Sequence, residues 1–253
     1  MPRSLSRGAC AVLVATALTL AGCAAEPSDH EVEVSAEADA PIGAAESPSA
    51  EPAPFEADKY YAAEAVVPAV SVHASPGGAV THTFSHPQES GAPLNFLVKG
   101  HEGDWLEVYV PSRPNGASGW IMTRAVNVFE MPFRLEVSVG RNVMELYEEG
   151  KLARQFQVAT GTGGTPTPLG TFFLTELMAP TNAGYGPYAY GLSAYSEVLN
   201  DFGGGSGQIG VHGTDDAASI GTAASHGCIR LSNADITELA GILPLGTPII
   251  IGE

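Results

Sequence analysis

The sequence predicts a mostly β chain of the α+β class, with a small β-barrel followed by a larger β-rich domain. Three observations carry this prediction. Between residues 60 and 128, short alternating runs are broken by Gly, Pro and Asn, the pattern of small strands joined by tight turns. Further on, "RLEVSVGRNVMELYEEGKLARQFQVATG" reads as three strands with turns at Gly140-Arg141-Asn142 and Glu149-Gly150. One segment, "SNADITELAGIL", has the best helical spacing in the chain. A length of 253 residues fits one to two domains.

In chain order, residues 1–22 read as a leader. Arg3 and Arg7 form a short basic region ahead of "ACAVLVATALTLAG". That apolar run is shorter than the roughly 20 residues a membrane-spanning helix needs, and it suits a signal-peptide core. It ends in "LAGC", which resembles the lipobox of bacterial lipoproteins. The resemblance implies that Cys23 is acylated and becomes the new N-terminus, anchoring the chain to a membrane; a plain secretory cleavage near Ala24 or Ala25 is the alternative. Residues 23–58 hold ten Asp or Glu and no Lys or Arg, in an Ala, Pro, Glu and Ser background. Such a stretch cannot bury enough apolar surface to order itself, so a disordered tether is expected. About 35 residues of coil span roughly 30–35 Å, enough to hold a domain off a membrane and toward a wall.

Order is expected from about Tyr60. "FLVKGHEGDWLEVYV" reads as two strands around a glycine turn, and "NGASGWI" as a second turn leading into a strand. Trp105 and Trp120 each follow such a turn, and packing at the core and rim is their expected role. The turn-plus-Trp pattern over residues 60–128 resembles a bacterial SH3-like module. The second domain is expected over residues 132–253. After its three strands, "TPTPLGTFFLTELM" adds a Pro-rich loop and another strand, and "GQIGVHG" a short strand ending at His212. Ser232 or Asn233 can cap the helix, whose Ile236, Leu239, Ala240 and Leu243 recur at helical spacing. "GTPIIIG" closes as a buried strand. About 120 residues suffice for an independent core.

The net charge of −17 is spread without any basic patch, which argues against a nucleic-acid partner. Cysteine usage is more telling. Cys10 lies in the leader and Cys23 would carry lipid, so Cys228 is the single thiol left in an exported chain, and an odd cysteine there points to a thiol with a task. It sits in "SHGCIRL". A thiol nucleophile needs a nearby base, and His226 and His212 are both close in sequence. Gly227 permits unusual backbone angles, and the N–H groups of Gly227 and Cys228 offer an oxyanion hole. Arg230 is the only Lys or Arg after Arg154. Two readings stand for it and both can apply: holding a substrate carboxylate or lowering the thiol pKa, and pairing with Asp215, Asp216 or Asp235. A metal site from His212, His226 and Cys228 is weakly supported, because zinc sites favour paired ligands at short spacings.

The segment "IGVHGTDDAASIGTAASHGCIRLSNADITELAGILPLGTPIII" closely resembles the active-site segment of the L,D-transpeptidase (YkuD-like) family. His212-Gly213, Ser225-His226-Gly227-Cys228 and Arg230 match its pattern, and "ATGTGGTPTPLGTF" resembles its Thr-Pro-x-Gly loop. The resemblance covers residues 133–252. It implies a cysteine acyltransferase of peptidoglycan that uses no cofactor. In it Cys228 attacks a tetrapeptide stem, expels the terminal D-Ala, and passes the acyl group to the diamino-acid amine of a second stem in a 3→3 crosslink. It further implies that His212 is proton donor and acceptor, with His226 its rival, and that the Gly213 carbonyl orients the His212 ring. His226, Gly227 and Cys228 would supply main-chain donors, while Ser225 and Arg230 shape the loop and bind substrate. Acylation by carbapenems is implied as well. Water as acceptor would make the protein an L,D-carboxypeptidase, and a protein amine an anchoring enzyme. A catalytically silent wall-binding lipoprotein is the alternative of another class.

Overall fold

The structure, a computed structural model, describes residues 55–201 and 205–253. The leader, Cys23 and most of the acidic tether lie outside the described residues. Among the described residues no helix is long and apolar enough to cross a membrane. The fold is mostly β.

The first seven strands are β1 (Tyr60–Ala65), β2 (Ala69–His73), β3 (Val80–Ser85), β4 (Asn95–Glu102), β5 (Trp105–Tyr109), β6 (Ser118–Met122) and β7 (Val126–Met131). They form one sheet in the order β3-β2-β6-β5-β4-β1-β7, and its strand pairs are antiparallel. Period-two alternation explains which face is buried. In β5 the side chains of Leu106 and Val108 enter the core with Phe96 and Ile121, while Trp105, Glu107 and Tyr109 point the other way. Trp105 and Trp120 are half-buried outside that core, with the Trp105 ring 4.9 Å from His73 in an edge contact. Gly103, at φ 53°, makes the tight turn between β4 and β5. The sheet runs on to Met131, past the expected end at residue 128, because β7 pairs along the whole of β1.

The rest of the chain supplies β8 (Phe133–Ser138), β9 (Val143–Glu148), β10 (Lys151–Gln157), β11 (Thr160–Gly161), β12 (Gly170–Met178), β13 (Ala189–Tyr195), β14 (Gln208–His212), β15 (Ala223–Ser225), β16 (Ile229–Arg230), α1 (Asn233–Ala240) and β17 (Pro248–Gly252). Eight of these strands make a mixed sheet in the order β10-β9-β8-β17-β12-β13-β14-β16, and β11 pairs with β15 beside it. Glu149 and Gly150 both take positive φ, 51° and 74°, which gives the β9–β10 hairpin its tight turn. The C-terminal apolar run inserts as β17 between β8 and β12, parallel to the first and antiparallel to the second.

Helix α1 starts where Ser232 accepts the Asp235 N–H and ends at Ala240, ahead of Gly241. It is shorter than the helix spacing predicts, since Leu243 lies in the following turn and still reaches the core. The carbonyls of Leu239 and Leu243 at this end are met by the buried hydroxyl of Tyr190, at 3.1 and 3.0 Å. Burial raises the Tyr190 pKa to about 12, so the hydroxyl remains a donor. Tyr190→Phe should leave those buried carbonyls without their side-chain donor and cost about 1–3 kcal/mol. Urea unfolding measures this, and an unchanged midpoint would contradict it.

Candidate active site

Two short parallel strands bring the site together. Val211 pairs with Ile229 and His212 with Arg230. Paired residues on adjacent strands share a face and alternate along each strand. Ile209, Val211, Ile229 and Leu231 therefore fill the core. Gly210, His212, Cys228 and Arg230 turn to the other side, where they meet a cleft of about 170 Å³ lined also by Tyr185, Leu199, Gln208 and His226.

His212 is buried, with 4% of its surface exposed. Its Nδ1 lies 2.6 Å from the Gly213 carbonyl oxygen, so the protonated Nδ1 donates there and Nε2 is left as the acceptor. Burial holds its pKa down at about 4, helped by the Arg230 charge and opposed by the Gly213 hydrogen bond. The ring of Tyr185 lies against the imidazole with centroids 4.6 Å apart. A Cβ at Gly213 would run into Asn233 Oδ1, the atom that accepts the Thr214 N–H. Glycine at 213 thus lets the chain turn tightly enough for its carbonyl to meet the ring.

The Cys228 thiol accepts the Gly210 N–H at 3.4 Å. Burial raises its pKa above the ordinary thiol value, against the lowering effects of Gly210 and Arg230. The resting pair is therefore a neutral thiol beside a neutral imidazole. Among the described residues Arg230 makes no ion pair. Its buried Nε–H has no acceptor, and no bridge to Asp215, Asp216 or Asp235 forms. Of the two readings of Arg230, pairing with those carboxylates is not what the structure contains.

The Gly227 N–H donates to Ser225 Oγ at 3.0 Å, a bond made inside the loop. Ser225 is 1% exposed, and its hydroxyl in turn donates to the Cys228 carbonyl at 2.5 Å. It shapes the loop from beneath rather than touching the cleft. Gly227 takes φ 120°, a conformation open to glycine. His226 lies exposed at the cleft rim, in contrast to His212. The Thr-Pro-x-Gly segment braces the same loop from outside: Thr167 Oγ1 donates to the Gly227 carbonyl at 2.9 Å and accepts the Gly161 N–H at 2.8 Å.

Tyr185, Gly210 and Asn233 had no assigned place in the site. Their partners lie on other elements, so no local spacing marks them. The run of glycines around Tyr185 was the available signal, since a Cβ at Gly186 would strike both Asn233 and Gly213. Among the described residues no group of three His, Cys, Asp or Glu side chains is arranged to hold a metal ion.

The profile of the YkuD L,D-transpeptidase catalytic domain matches residues 132–251, the region that builds this cleft. An L,D-transpeptidase, YkuD, of Bacillus licheniformis is 35% identical over 121 residues, covering 48% of this chain and 66% of the relative. The YkuD protein of Bacillus subtilis is 32% identical over 125 residues, covering 49% of this chain and 69% of its own. The chain thus spans about two thirds of the length of these relatives. Among solved structures, an L,D-transpeptidase from Mycobacterium tuberculosis aligns at 16% identity and TM-score 0.42, over 56% of this chain and 75% of that one. The catalytic domain of the E. faecium L,D-transpeptidase aligns at 25% identity and TM-score 0.37, over 48% and 98%. The chain belongs to the YkuD L,D-transpeptidase family.

Proposed function

We propose that the protein is a peptidoglycan L,D-transpeptidase working through a Cys228 thioester. The observation that carries this reading is the shared face of β14 and β16, which puts the thiol, a buried imidazole of fixed tautomer and an unpaired guanidinium on one cleft. In the first half-reaction Cys228 Sγ attacks the carbonyl of the third stem residue, and its proton passes to His212 Nε2. That proton then goes to the departing D-Ala amine as the peptide bond breaks and the thioester forms. In the second half-reaction the diamino-acid amine of another stem attacks the thioester and His212 takes its proton. The new amide forms as the sulfur leaves and recovers a proton. Gly213 holds the His212 ring through its carbonyl.

The Cys228 N–H is the main-chain donor assigned to the tetrahedral oxyanion. Arg230 is assigned to a stem carboxylate and to the negative charge that develops on sulfur. Among the described residues it has no carboxylate partner, which supports that role. Residues 60–128 are read as an SH3-like module that places the catalytic domain on the wall. Cys23 is read as the lipid-bearing N-terminus of a membrane-anchored, extracytoplasmic protein.

Treatment with a carbapenem should add the mass of one drug molecule to the wild type and nothing to Cys228→Ala. A wild type that stays unmodified would favour the silent wall-binding alternative. Arg230→Ala should raise KM for the stem peptide by about tenfold or more, as expected for loss of one charge-assisted contact. An unchanged KM in steady-state assays would remove Arg230 from substrate binding.

A further inference from the structure

The loop between β5 and β6 reaches out of the first sheet and grips the segment that walls the cleft. Asn115 mimics a strand partner for Tyr195, donating from Nδ2 to its carbonyl at 2.7 Å and accepting its N–H at 2.9 Å. The Tyr195 hydroxyl donates back to the Pro111 carbonyl at 3.2 Å. Arg113 lies over the Tyr195 ring, 4.7 Å from its centroid. Its guanidinium donates to three main-chain carbonyls: Nη1 to Ser206 at 2.9 Å, and Nη2 to Ser196 and Leu199, both at 3.1 Å.

Those carbonyls sit at the base of one loop. The Ser196 N–H meets the Gly207 carbonyl at 2.8 Å. Gly207, at φ 73°, packs so closely that a Cβ would strike the Leu199 carbonyl and come within 3.1 Å of Arg113 Nη2. Ser196, Leu199 and Gly207 line the same cleft as Cys228. Among the described residues Arg113 makes no ion pair, so its full charge is directed at these carbonyls. Charge-assisted bonds of this kind are roughly twice as strong as neutral ones and fix geometry.

We propose that Arg113 is a positioning residue for the donor peptide: it sets the wall of the cleft formed by Ser196, Leu199 and Gly207, so the first sheet is a working part of the site. This rests on the transpeptidase reading for its substrate and on geometry alone for the wall. It places no catalytic duty on Arg113, which touches neither the thiol nor the imidazole.

The test uses the full chain with Arg113→Ala and Arg113→Lys, and with Arg124→Ala as a control at an exposed residue in the turn between β6 and β7. In Arg113→Ala, amide exchange at Ser196, Val198 and Leu199 should quicken at least tenfold while β9 and β10 exchange as in the wild type. KM for the stem peptide should rise about tenfold with kcat changed less than threefold, since misplacement of a binding wall acts on substrate positioning. Iodoacetamide should alkylate Cys228 at the wild-type rate. Arg113→Lys, which keeps the charge but loses the fork, should fall between the two. Loop exchange and KM matching those of Arg124→Ala would overturn the proposal. If the wild type turns over no stem peptide yet loop exchange still quickens in Arg113→Ala, the transpeptidase reading fails and the positioning of the wall stands.

Discussion

His212→Ala is expected to slow acylation of Cys228 by about 10²- to 10⁴-fold, the range for loss of a placed general base. His226→Ala should change the rate by only a few-fold. The difference follows from placement. His212 is buried, its Nδ1 is fixed by the Gly213 carbonyl and its ring is backed by Tyr185, whereas His226 stands at the exposed rim. The pH profile gives a second readout. The base must be neutral to accept a proton, and burial keeps it neutral down to about pH 4. The acid limb of acylation should therefore fall near 4, not near the ordinary histidine value of 6.5. Folding stability should follow the same group. The unfolded imidazole binds a proton below about 6.5 and the folded one only near 4, so this contribution is complete above 6.5 and is lost as the pH falls toward 4. Its size is about 3 kcal/mol. An acid limb near 6.5, or a His226→Ala enzyme slower than His212→Ala, would contradict the assignment.

The second large effect belongs to Ser225. Its hydroxyl is the only bridge between the Gly227 N–H and the Cys228 carbonyl described in the loop, at 3.0 and 2.5 Å, and the residue is 1% exposed. Ser225→Ala leaves a donor and an acceptor unpaired where water has little access. Each such group costs about 1–3 kcal/mol, so a loss of about 2–6 kcal/mol is expected. The same substitution frees the nucleophile loop, and acylation should slow with it. Urea unfolding and the rate of carbapenem adduct formation measure the two together. A Ser225→Ala protein as stable and as fast as the wild type would show that the loop does not depend on the Ser225 hydroxyl.

The legible parts of the fold were those with local signals. Glu149-Gly150 marked a hairpin because its turn needs positive φ at both central residues, and Ser232 marked a helix start because its hydroxyl satisfies a free N–H. β13, in the middle of the second sheet, carried no such signal. "AYGLSAY" is buried at six of its seven positions, so it lacks the alternation that marks a half-exposed strand. Gly191 breaks the run as well, yet a Cβ there would press on Glu176 and Gln208.

In the site, Cys228 and His212 stood out because a lone thiol and a histidine beside glycine are chemically conspicuous. The direction of a hydrogen bond inside a four-residue loop is not conspicuous. Whether the Gly227 N–H faces substrate or Ser225 depends on backbone angles that the residue types permit without dictating. Arg113 was the least visible, for its role depends on carbonyls 83 to 93 residues away.

The central claim is acyl transfer from a tetrapeptide stem through Cys228 to a second stem. It is tested most directly by incubating the purified protein with disaccharide-tetrapeptides and sequencing the products by mass spectrometry. The account predicts 3→3-linked dimers with release of one D-Ala per bond, absent with Cys228→Ala. Tetrapeptide recovered intact from the wild type, or trimmed only to tripeptide, would contradict it.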